Sequence, residues 1–292
     1  MEENELMKIA LFNDNKLGIV KDEKVFEISH IAKWDKSKPQ ESLIDFMNQF
    51  ETLKPEIESY LKTGEGLALA EVKLNAPIPK PSKIVAAPVN YYLHQDEMNE
   101  QFSNAEYTIE KLGFFLKAPS SIIGPGETVK LPFAERRTDH EAEVAFIVGK
   151  RAKDVPASEA KNYIFGYVGL MDITVRGKED RPWRKSFDTF TPVGPWIVTA
   201  DEISDPNKLG FKLWVNEELR QSANTENLIY DCYKFFEVAS HAMTLEPGDI
   251  LTTGTPEGVG PIVDGDTITL DIEEIGSFNV GVKSKVDVGV KL

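Results

Sequence analysis

Two glutamates stand two positions apart in the segment Asp139–Val148, which continues as the apolar run Val144–Val148. Alternate side chains of an extended strand share a face, so Glu141 and Glu143 would project side by side. Two carboxylates this close need a proton or a cation to compensate their charge in a buried setting. The pair is therefore a candidate cation site, and an acidic solvent face at a strand end is the alternative. The opposite face of such a strand would be wholly apolar, with Ala142, Val144, Phe146 and Val148.

A third carboxylate, Asp172, lies in the apolar segment YIFGYVGLMDITV. An ionised Asp is seldom left in such surroundings without a partner. With the two glutamates it would supply three oxygen ligands and leave positions open for water or a chelating substrate. Hard cations such as Mg²⁺, Mn²⁺ or Ca²⁺ prefer these ligands. An Asp that caps a turn at the strand's end is the alternative.

Lys185 opens the segment KSFDTFTPVGPW, in which aromatic and proline residues surround a single ammonium group. Such a setting can hold positive charge near a developing oxyanion. Most lysines are solvated surface charges, and that alternative stays open for Lys185.

A histidine and a glutamate three positions apart form a candidate water-activating pair in the segment NYYLHQDEM. In a helix, His94 and Glu97 would share a face, and the carboxylate would orient the imidazole and raise its basicity. A surface ion pair is the alternative.

The loop Thr252–Gly260 is rich in glycine but lacks the Gly-Lys-Ser/Thr of a nucleotide-binding loop. It is interpreted as a contact for a small anionic ligand or as a plain turn.

Composition narrows the class of protein. The 292 residues carry a formal charge of −15, which disfavours nucleic acid and anionic lipid as partners. Cys232 is the single cysteine, so intrachain disulfides and paired-thiolate zinc sites are excluded. The acidic start MEENELMKIALF differs from a signal peptide, and no run approaches the ~20 apolar residues that span a bilayer. We expect no membrane partner and a cytoplasmic protein.

The elements that must position these residues are mostly strands. The segments KIALF, LGIV and VFEI predict an antiparallel meander around Asn13–Asn15, and two helices are predicted over ESLIDFMNQF and LKPEIESYLKT. The proline-rich segment 76–81 marks a boundary. Beyond it, short β-like runs dominate, with helices near 158–163 and 231–243. Strands do not alternate strictly with helices, which disfavours Rossmann and TIM folds and predicts an α+β, predominantly β chain.

These segments, in this order, resemble the fumarylacetoacetate hydrolase family over residues 82–285. The matching motifs are NYYLHQDE, FFLKAPSSIIGPGETVKLP, DHEAEVAFIVGK, FGYVGLMDITVR, KSFDTFTPVGPWIV, VNEELRQ, LEPGDILTTGTPEGVG and DGDTITLDIEEIG. The resemblance implies a catalytic domain at 79–292 with a mixed β-sandwich or roll. A small N-terminal domain of β meander and helices would occupy 1–78, and the chain would form a homodimer.

The same resemblance implies roles for individual residues. It implies Mg²⁺ or Mn²⁺ bound by Glu141, Glu143 and Asp172, an active-site lysine at Lys185, and a hydrolytic pair at His94 and Glu97 on a segment that orders over the substrate. It further implies substrate contacts at Tyr91, Arg176 and Thr255.

The implied chemistry is hydrolysis of a C–C bond in a small β-diketo or 2-oxo acid of the acylpyruvate or fumarylpyruvate type. A decarboxylase or isomerase of 2-oxo or 2-hydroxymuconate-type acids in aromatic catabolism is the alternative within the family. A noncatalytic binder of a metal or a small ligand is the alternative outside it. The chain departs from the family's pattern at Gly177, at a short segment 178–183, at Leu93 and at a longer segment 99–112, which is interpreted as a lid.

Overall fold

Residues 7–101 and 108–284 of the chain are described by a computed structural model. The helices are α1 (Pro39–Thr63), α2 (Tyr92–Gln101), α3 (Ile109–Leu112), α4 (Ala157–Ala160), α5 (Arg181–Lys185) and α6 (Cys232–Ala242). Short 3-10 turns cover Leu69–Glu71, Pro119–Ser121, Lys161–Tyr163 and Thr225–Asn227.

The strands take up most of the remaining regular structure. They are β1 (Lys8–Phe12), β2 (Lys16–Lys21), β3 (Lys24–Glu27), β4 (Leu67–Ala68), β5 (Leu74–Asn75), β6 (Ile84–Ala86), β7 (Phe115–Lys117), β8 (Ile122–Ile123), β9 (Thr128–Leu131), β10 (Thr138–His140), β11 (Ala142–Val148), β12 (Ile164–Met171), β13 (Thr174–Val175), β14 (Thr191–Thr199), β15 (Gly210–Val215), β16 (Glu218–Asn224), β17 (Ile250–Thr252), β18 (Gly260–Ile262), β19 (Thr267–Ile272) and β20 (Gly276–Ser284). The fold is α+β and predominantly β, as predicted.

The predicted N-terminal meander is confirmed. Strands β1, β2 and β3 pair antiparallel in sequence order. Asn13 and Asn15 turn the chain between β1 and β2 with φ of 48° and 57°. Asn tolerates this left-handed region better than most residues, which is why the turn falls here.

Helix α1 corrects the prediction of two helices, because it runs unbroken from Pro39 to Thr63 with Pro55 in its interior. A proline there removes one backbone hydrogen bond and crowds the preceding turn. One continuous apolar face offsets this cost, since the side chains of Phe46, Phe50 and Ile57 are buried on both sides of the proline.

One large sheet carries most of the elements near the acidic residues. Its strand order is β4-β3-β2-β1-β14-β12-β11-β17-β6-β7, with β5 paired to β1 and β8 paired to β14. Strand β1 pairs antiparallel with β14, so the strands before the proline-rich segment 76–81 continue the sheet formed by later ones. The division of the chain into domains at residue 78 stays a prediction.

Two smaller sheets flank the large one. A three-stranded sheet has the order β13-β10-β18, and a five-stranded sheet has the order β16-β15-β19-β20-β9.

The side chains on the two faces of β11 pack into two different apolar clusters. Val144 and Phe146 belong to one cluster, and Ala145 and Ile147 belong to the other. The predicted alternation of this strand is therefore confirmed, with apolar packing on both faces.

In the described ranges, no helix is long and apolar enough to cross a membrane. The segment 99–112, interpreted above as a lid, falls partly on residues 102–107, which lie outside the described residues.

Candidate active site

The three acidic residues singled out in the sequence meet at one buried place. One carboxylate oxygen from each of Glu141, Glu143 and Asp172 lies within 4.8 Å of the others. The register of β11 and β12 explains the meeting, because Ala142 pairs with Met171 and Asp172 N donates to Glu141 O at 2.8 Å. Glu141 therefore stands just before one strand of an antiparallel pair, and Asp172 just after the other.

Two buried ammonium groups compensate part of this negative charge. Lys185 Nζ donates to Glu141 Oε2 and to Asp172 Oδ2 at 2.6 Å each, and to Thr174 Oγ1 at 2.7 Å. Lys117 Nζ donates to Asp172 Oδ1 and to Phe190 O. Lys185 stands at the end of α5 and Lys117 at the end of β7. Asp172 thus has a cation at each oxygen.

Glu143 lacks such a cation and is held by neutral donors. Its Oε2 accepts hydrogen bonds from Thr252 Oγ1 and, at 3.0 Å, from Gly254 N. Burial and then the neighbouring Asp172 raise the pKa of Glu143 to about 8. Burial alone would also raise the pKa of Glu141, but the Lys185 and Arg176 cations lower it to about 2. Glu143 is therefore the one carboxyl of the three whose negative charge the chain does not compensate, and it keeps a proton up to about pH 8 unless a cation binds.

The donor set fits a hard divalent cation. All three candidate ligands are carboxylates, all are buried, and the charge at Glu143 has no ammonium beside it among the described residues. Oxygen ligands in this number suit Mg²⁺ or Mn²⁺ with further positions left for water or substrate. The two lysines leave the cluster with net negative charge when Glu143 is ionised.

A tight turn after β17 brings a backbone N–H to Glu143. Gly254 has a φ of +86°, and a Cβ at this position would stand 2.9 Å from Ala87 O and 3.2 Å from Asn90 Cβ. Asn90 fixes the facing loop, since its side chain donates to Thr253 O at 2.9 Å and to Tyr230 O at 2.8 Å. Only glycine fits this close approach without strain.

The predicted His–Glu pair forms on helix α2. His94 Nδ1 lies 3.0 Å from Glu97 Oε2, which leaves Nε2 as the other ring nitrogen. His94 is buried, with 7% of its surface exposed, and lines the same small cavity as Glu141 and Glu143. The geometry is that of an oriented imidazole facing a buried acidic cluster.

Thr255 reaches the cavity on a loop that a buried glutamine fixes. Gln221 Nε2 donates to Thr255 Oγ1 at 2.8 Å and to Pro256 O at 3.1 Å, while its Oε1 accepts from Ala142 N at 2.9 Å. One side chain on β16 therefore joins the start of β11 to the glycine-rich loop.

The cavity has a volume of about 60 Å³ and opens towards a larger cleft of about 540 Å³. Arg176 lines both spaces, and its Nε donates to Asp139 Oδ2 at 2.6 Å while Nη2 donates to Glu141 Oε1 at 3.2 Å. The structure thus brings eight of the nine predicted site residues together around one buried cavity and its mouth: His94, Glu97, Glu141, Glu143, Asp172, Arg176, Lys185 and Thr255.

Tyr91 is the exception. Its ring is buried in the larger apolar cluster and packs edge-on against Phe211 at 6.2 Å, and Tyr91 is not among the residues that line the cavity. An isolated β-bridge to Leu228 fixes its backbone. The structure does not bring Tyr91 to the place where a substrate contact was expected.

Sequence reasoning also missed residues that hold the site. Lys117 is fully buried although lysine in a strand usually faces solvent, and its spacing of two from Phe115 in the run FFLK was the available signal. Asn90 and Gln221 lie in the matching motifs NYYLHQDE and VNEELRQ. No local pattern indicated their roles, because these depend on segments that meet only in the folded chain.

Comparisons with known proteins give the family. The model "Fumarylacetoacetate (FAA) hydrolase C-terminal" matches residues 83–283. A maleylpyruvate hydrolase from Aquipseudomonas alcaligenes is 41% identical over 286 residues, which cover 95% of this chain and 100% of that protein.

Solved structures agree with this relationship. Maleylpyruvate hydrolase from Sphingobium sp. SYK-6 in complex with manganese (II) ion and pyruvate has a TM-score of 0.87 and 42% identity, covering 96% of this chain and 100% of that one. 2-Hydroxyhepta-2,4-diene-1,7-dioate isomerase from Mycobacterium marinum has a TM-score of 0.72 and 31% identity, covering 96% and 99%. With the matched segment and these relatives, the chain belongs to the fumarylacetoacetate hydrolase family.

Proposed function

We propose that this protein is a divalent-metal-dependent hydrolase that cleaves a C–C bond in a small acylpyruvate-type oxo acid. One observation carries the proposal: Glu141 and Glu143 of the buried three-carboxylate cluster line one cavity together with His94, whose imidazole Glu97 orients. The similarity to maleylpyruvate hydrolases along nearly the whole chain supports it.

Glu141, Glu143 and Asp172 would hold the Mg²⁺ or Mn²⁺ ion. Such an ion supplies Lewis-acid polarisation of the substrate's oxygens when it is bound. The protein contributes a rigid, pre-formed set of ligands, because the β11–β12 register sets Glu141 against Asp172 and a backbone N–H fixes Glu143.

His94 acts as the general base. In this mechanism Glu97 Oε2 accepts a hydrogen bond from Nδ1–H of the imidazole. The other ring nitrogen, Nε2, is then the one that takes a proton from water. The water oxygen attacks the acyl carbonyl carbon, and the bond between that carbon and the pyruvate methylene breaks. The acyl group leaves as a carboxylic acid, and the electron pair of the broken bond stays with the pyruvate fragment, whose carbon then takes the proton.

Lys185 supplies fixed positive charge beside the oxygens that become negative during this step. Its ammonium is held by two carboxylates and a hydroxyl, so little reorganisation is needed when charge develops. Arg176 and Thr255 line the same cavity and contact the pyruvate carboxylate in this proposal.

An isomerase of a 2-hydroxydienedioate is the second candidate, because the relative from Mycobacterium marinum has that activity in its name and 31% identity. That reaction moves a proton and needs no attacking water. The His94–Glu97 pair favours the hydrolase.

We also expect the protein to be a homodimer in the cytoplasm. Light scattering of the purified protein measures the number of subunits.

Metal removal tests the proposal. The protein is stripped with chelator and assayed with maleylpyruvate and acetylpyruvate by loss of enol absorbance, before and after Mg²⁺ or Mn²⁺ is added back. Turnover should vanish on stripping and return with metal. Asp172→Asn should stay inactive, while Asp271→Asn, on an exposed position of β19, should behave as wild type. Full turnover in the stripped protein would refute the metal-dependent mechanism, and metal binding without turnover of any oxo acid would favour a noncatalytic binder.

A further inference from the structure

The inner cavity and the outer cleft divide the space that a substrate can occupy. A volume of about 60 Å³ is well below the few hundred Å³ of a typical ligand pocket, whereas the cleft offers about 540 Å³. A substrate whose oxo-acid end reaches the three carboxylates must therefore extend its acyl chain into the cleft. The residues at the junction, which line both spaces, are His94, Met98, Arg176, Arg181 and Arg184.

Arg184 stands at this junction with its charge available to a ligand. Its Nε donates to Glu179 O at 2.7 Å, and among the described residues no ion pair involves Arg184. Arg176 differs, because Asp139 and Glu141 pair with it. Burial and then the nearby Arg176 and Arg181 cations lower the pKa of Arg184, and the Glu141 and Glu179 carboxylates oppose this effect. An anion bound here would compensate the partly buried charge of Arg184.

The segment 176–184 forms one wall of the cleft and carries Arg184. Residues that do not line the cleft hold this wall in place. Arg136 Nη2 donates to Arg176 O at 2.9 Å and to Glu179 Oε2 at 2.8 Å. The Arg136 side chain occupies the space beside Gly177, where a Cβ would stand 2.0 Å from Arg136 Nη2 and would require that side chain to shift. Trp183 of α5 stacks on Phe133 with ring centroids 6.2 Å apart. The short segment before Lys185 is thus a fixed wall, which favours binding because little ordering is needed.

From this geometry we propose that Arg184 binds a second carboxylate at the far end of the substrate's acyl chain. The site would then select acylpyruvates whose acyl group ends in a carboxylate over those that end in a methyl group. A guanidinium fork matches a carboxylate with two parallel hydrogen bonds. The inference rests on the proposed hydrolase function for its substrate, and it adds the recognition of the second acid group.

Substrate preference tests the inference in the full-length, metal-loaded protein. The ratio of kcat/KM for maleylpyruvate to that for acetylpyruvate is measured for wild type, Arg184→Met and Arg184→Lys. Arg184→Met should lower the ratio about 10- to 100-fold, as expected for the loss of a charge-assisted hydrogen bond, and Arg184→Lys should lower it less. Arg151→Met, at an exposed arginine paired with Glu246, is the control and should keep the wild-type ratio. An unchanged ratio in Arg184→Met would overturn the inference.

A binding measurement separates this inference from the proposed function. Maleate and isocrotonate differ by a carboxylate against a methyl group, and calorimetry measures both in the Mg²⁺-loaded protein. Wild type should bind maleate at least about 10-fold more tightly, and Arg184→Met should lose the preference. If wild type hydrolyses neither oxo acid but prefers maleate, and Arg184→Met loses that preference, the hydrolase proposal fails and the Arg184 inference stands. If wild type shows no preference for maleate, the Arg184 inference fails whatever the turnover.

Discussion

The ammonium nitrogen of Lys185 lies 2.6 Å from Oε2 of Glu141. The same nitrogen lies 2.6 Å from Asp172 Oδ2, so a single buried cation ties two of the three candidate metal ligands together. Glu143, the third, is left to hydroxyl and backbone donors. The site is therefore asymmetric: one side is compensated by the chain itself and the other has room for a cation from solution.

Removal of the Lys185 ammonium should destabilise the metal-free protein. In Lys185→Met, two buried carboxylates lose their shared cation, and we expect the free energy of unfolding to fall by about 3–5 kcal/mol. Urea denaturation in the presence of chelator measures it. Lys212→Met, at an exposed position of β15, is the control and should change stability by less than about 0.5 kcal/mol. Equal stability of the two variants would show that Lys185 is not a buried partner of these carboxylates.

The raised pKa of Glu143 should make the stability of the metal-free protein depend on pH. Between about pH 5 and 8 the folded chain keeps a proton on Glu143, whose pKa is about 8, while the unfolded chain with its ordinary pKa of 4.5 does not. The free energy of unfolding should therefore fall as pH rises through this window, by at most about 1.4 kcal/mol per pH unit. Glu141 does not change this pH dependence. Its pKa is lowered to about 2, so the stability that it contributes is lost only as pH falls below about 4.5.

Urea denaturation of wild type and Glu143→Gln at about pH 5.5, 6.5 and 7.5 measures this contribution. As pH rises, the free energy of unfolding of wild type should fall relative to that of Glu143→Gln. Metal binding requires the ionised carboxylate, so the affinity of wild type for Mg²⁺ should rise with pH up to about 8. Parallel pH profiles of the two proteins would contradict the raised pKa.

Loss of the imidazole should separate catalysis from metal binding. We expect His94→Gln to lower kcat about 10²- to 10⁴-fold and to change the affinity for Mn²⁺ by less than about threefold, because His94 is not among the carboxylate ligands. Glu97→Gln should give a smaller loss. His241→Gln is a matched control, since His241 Nδ1 also lies 3.0 Å from a carboxylate, that of Asp154, at an exposed place. Wild-type turnover in His94→Gln would remove it from the mechanism.

A methyl group at position 254 should disturb the site through the backbone. In Gly254→Ala the Cβ meets Ala87 O at 2.9 Å in a left-handed conformation, so we expect a loss of about 1–3 kcal/mol in stability and weaker metal binding through the displaced Glu143 contact. Gly265→Ala is the control, because Gly265 has a similar φ of +89° and nothing within 4 Å of a Cβ. It should lose stability from strain alone and bind Mn²⁺ normally. Equal metal affinity in both variants would contradict the role given to Gly254.

The sequence predicted those parts of the site that local patterns encode. Glu141 and Glu143 could be found because a strand period of two places them side by side, and Asp172 because its neighbours are apolar. Lys117 had only the signal of its spacing from Phe115, since its burial depends on the pairing of β7 with β6 and on Asp172, which follows β12. The continuity of α1 through Pro55 also depends on tertiary packing, which overrides the local preference against proline.

Arg184 shows the same limit at the mouth of the site. The segment that carries it is held by Arg136 through Arg176 and Glu179, which are distant from Arg136 in sequence and meet it through the pairing of β10 and β13. A short segment could be noticed in the sequence, but the direction in which its arginine faces could not.

Identification of the products from maleylpyruvate tests the central claim most directly. The Mg²⁺-loaded protein is incubated with maleylpyruvate, and proton NMR follows the mixture to completion. Hydrolysis of the C–C bond predicts one pyruvate and one maleate for each substrate consumed, with neither formed in the chelator-treated protein. Conversion to an isomer without release of pyruvate, or equal release of pyruvate without metal, would contradict a metal-dependent C–C hydrolase.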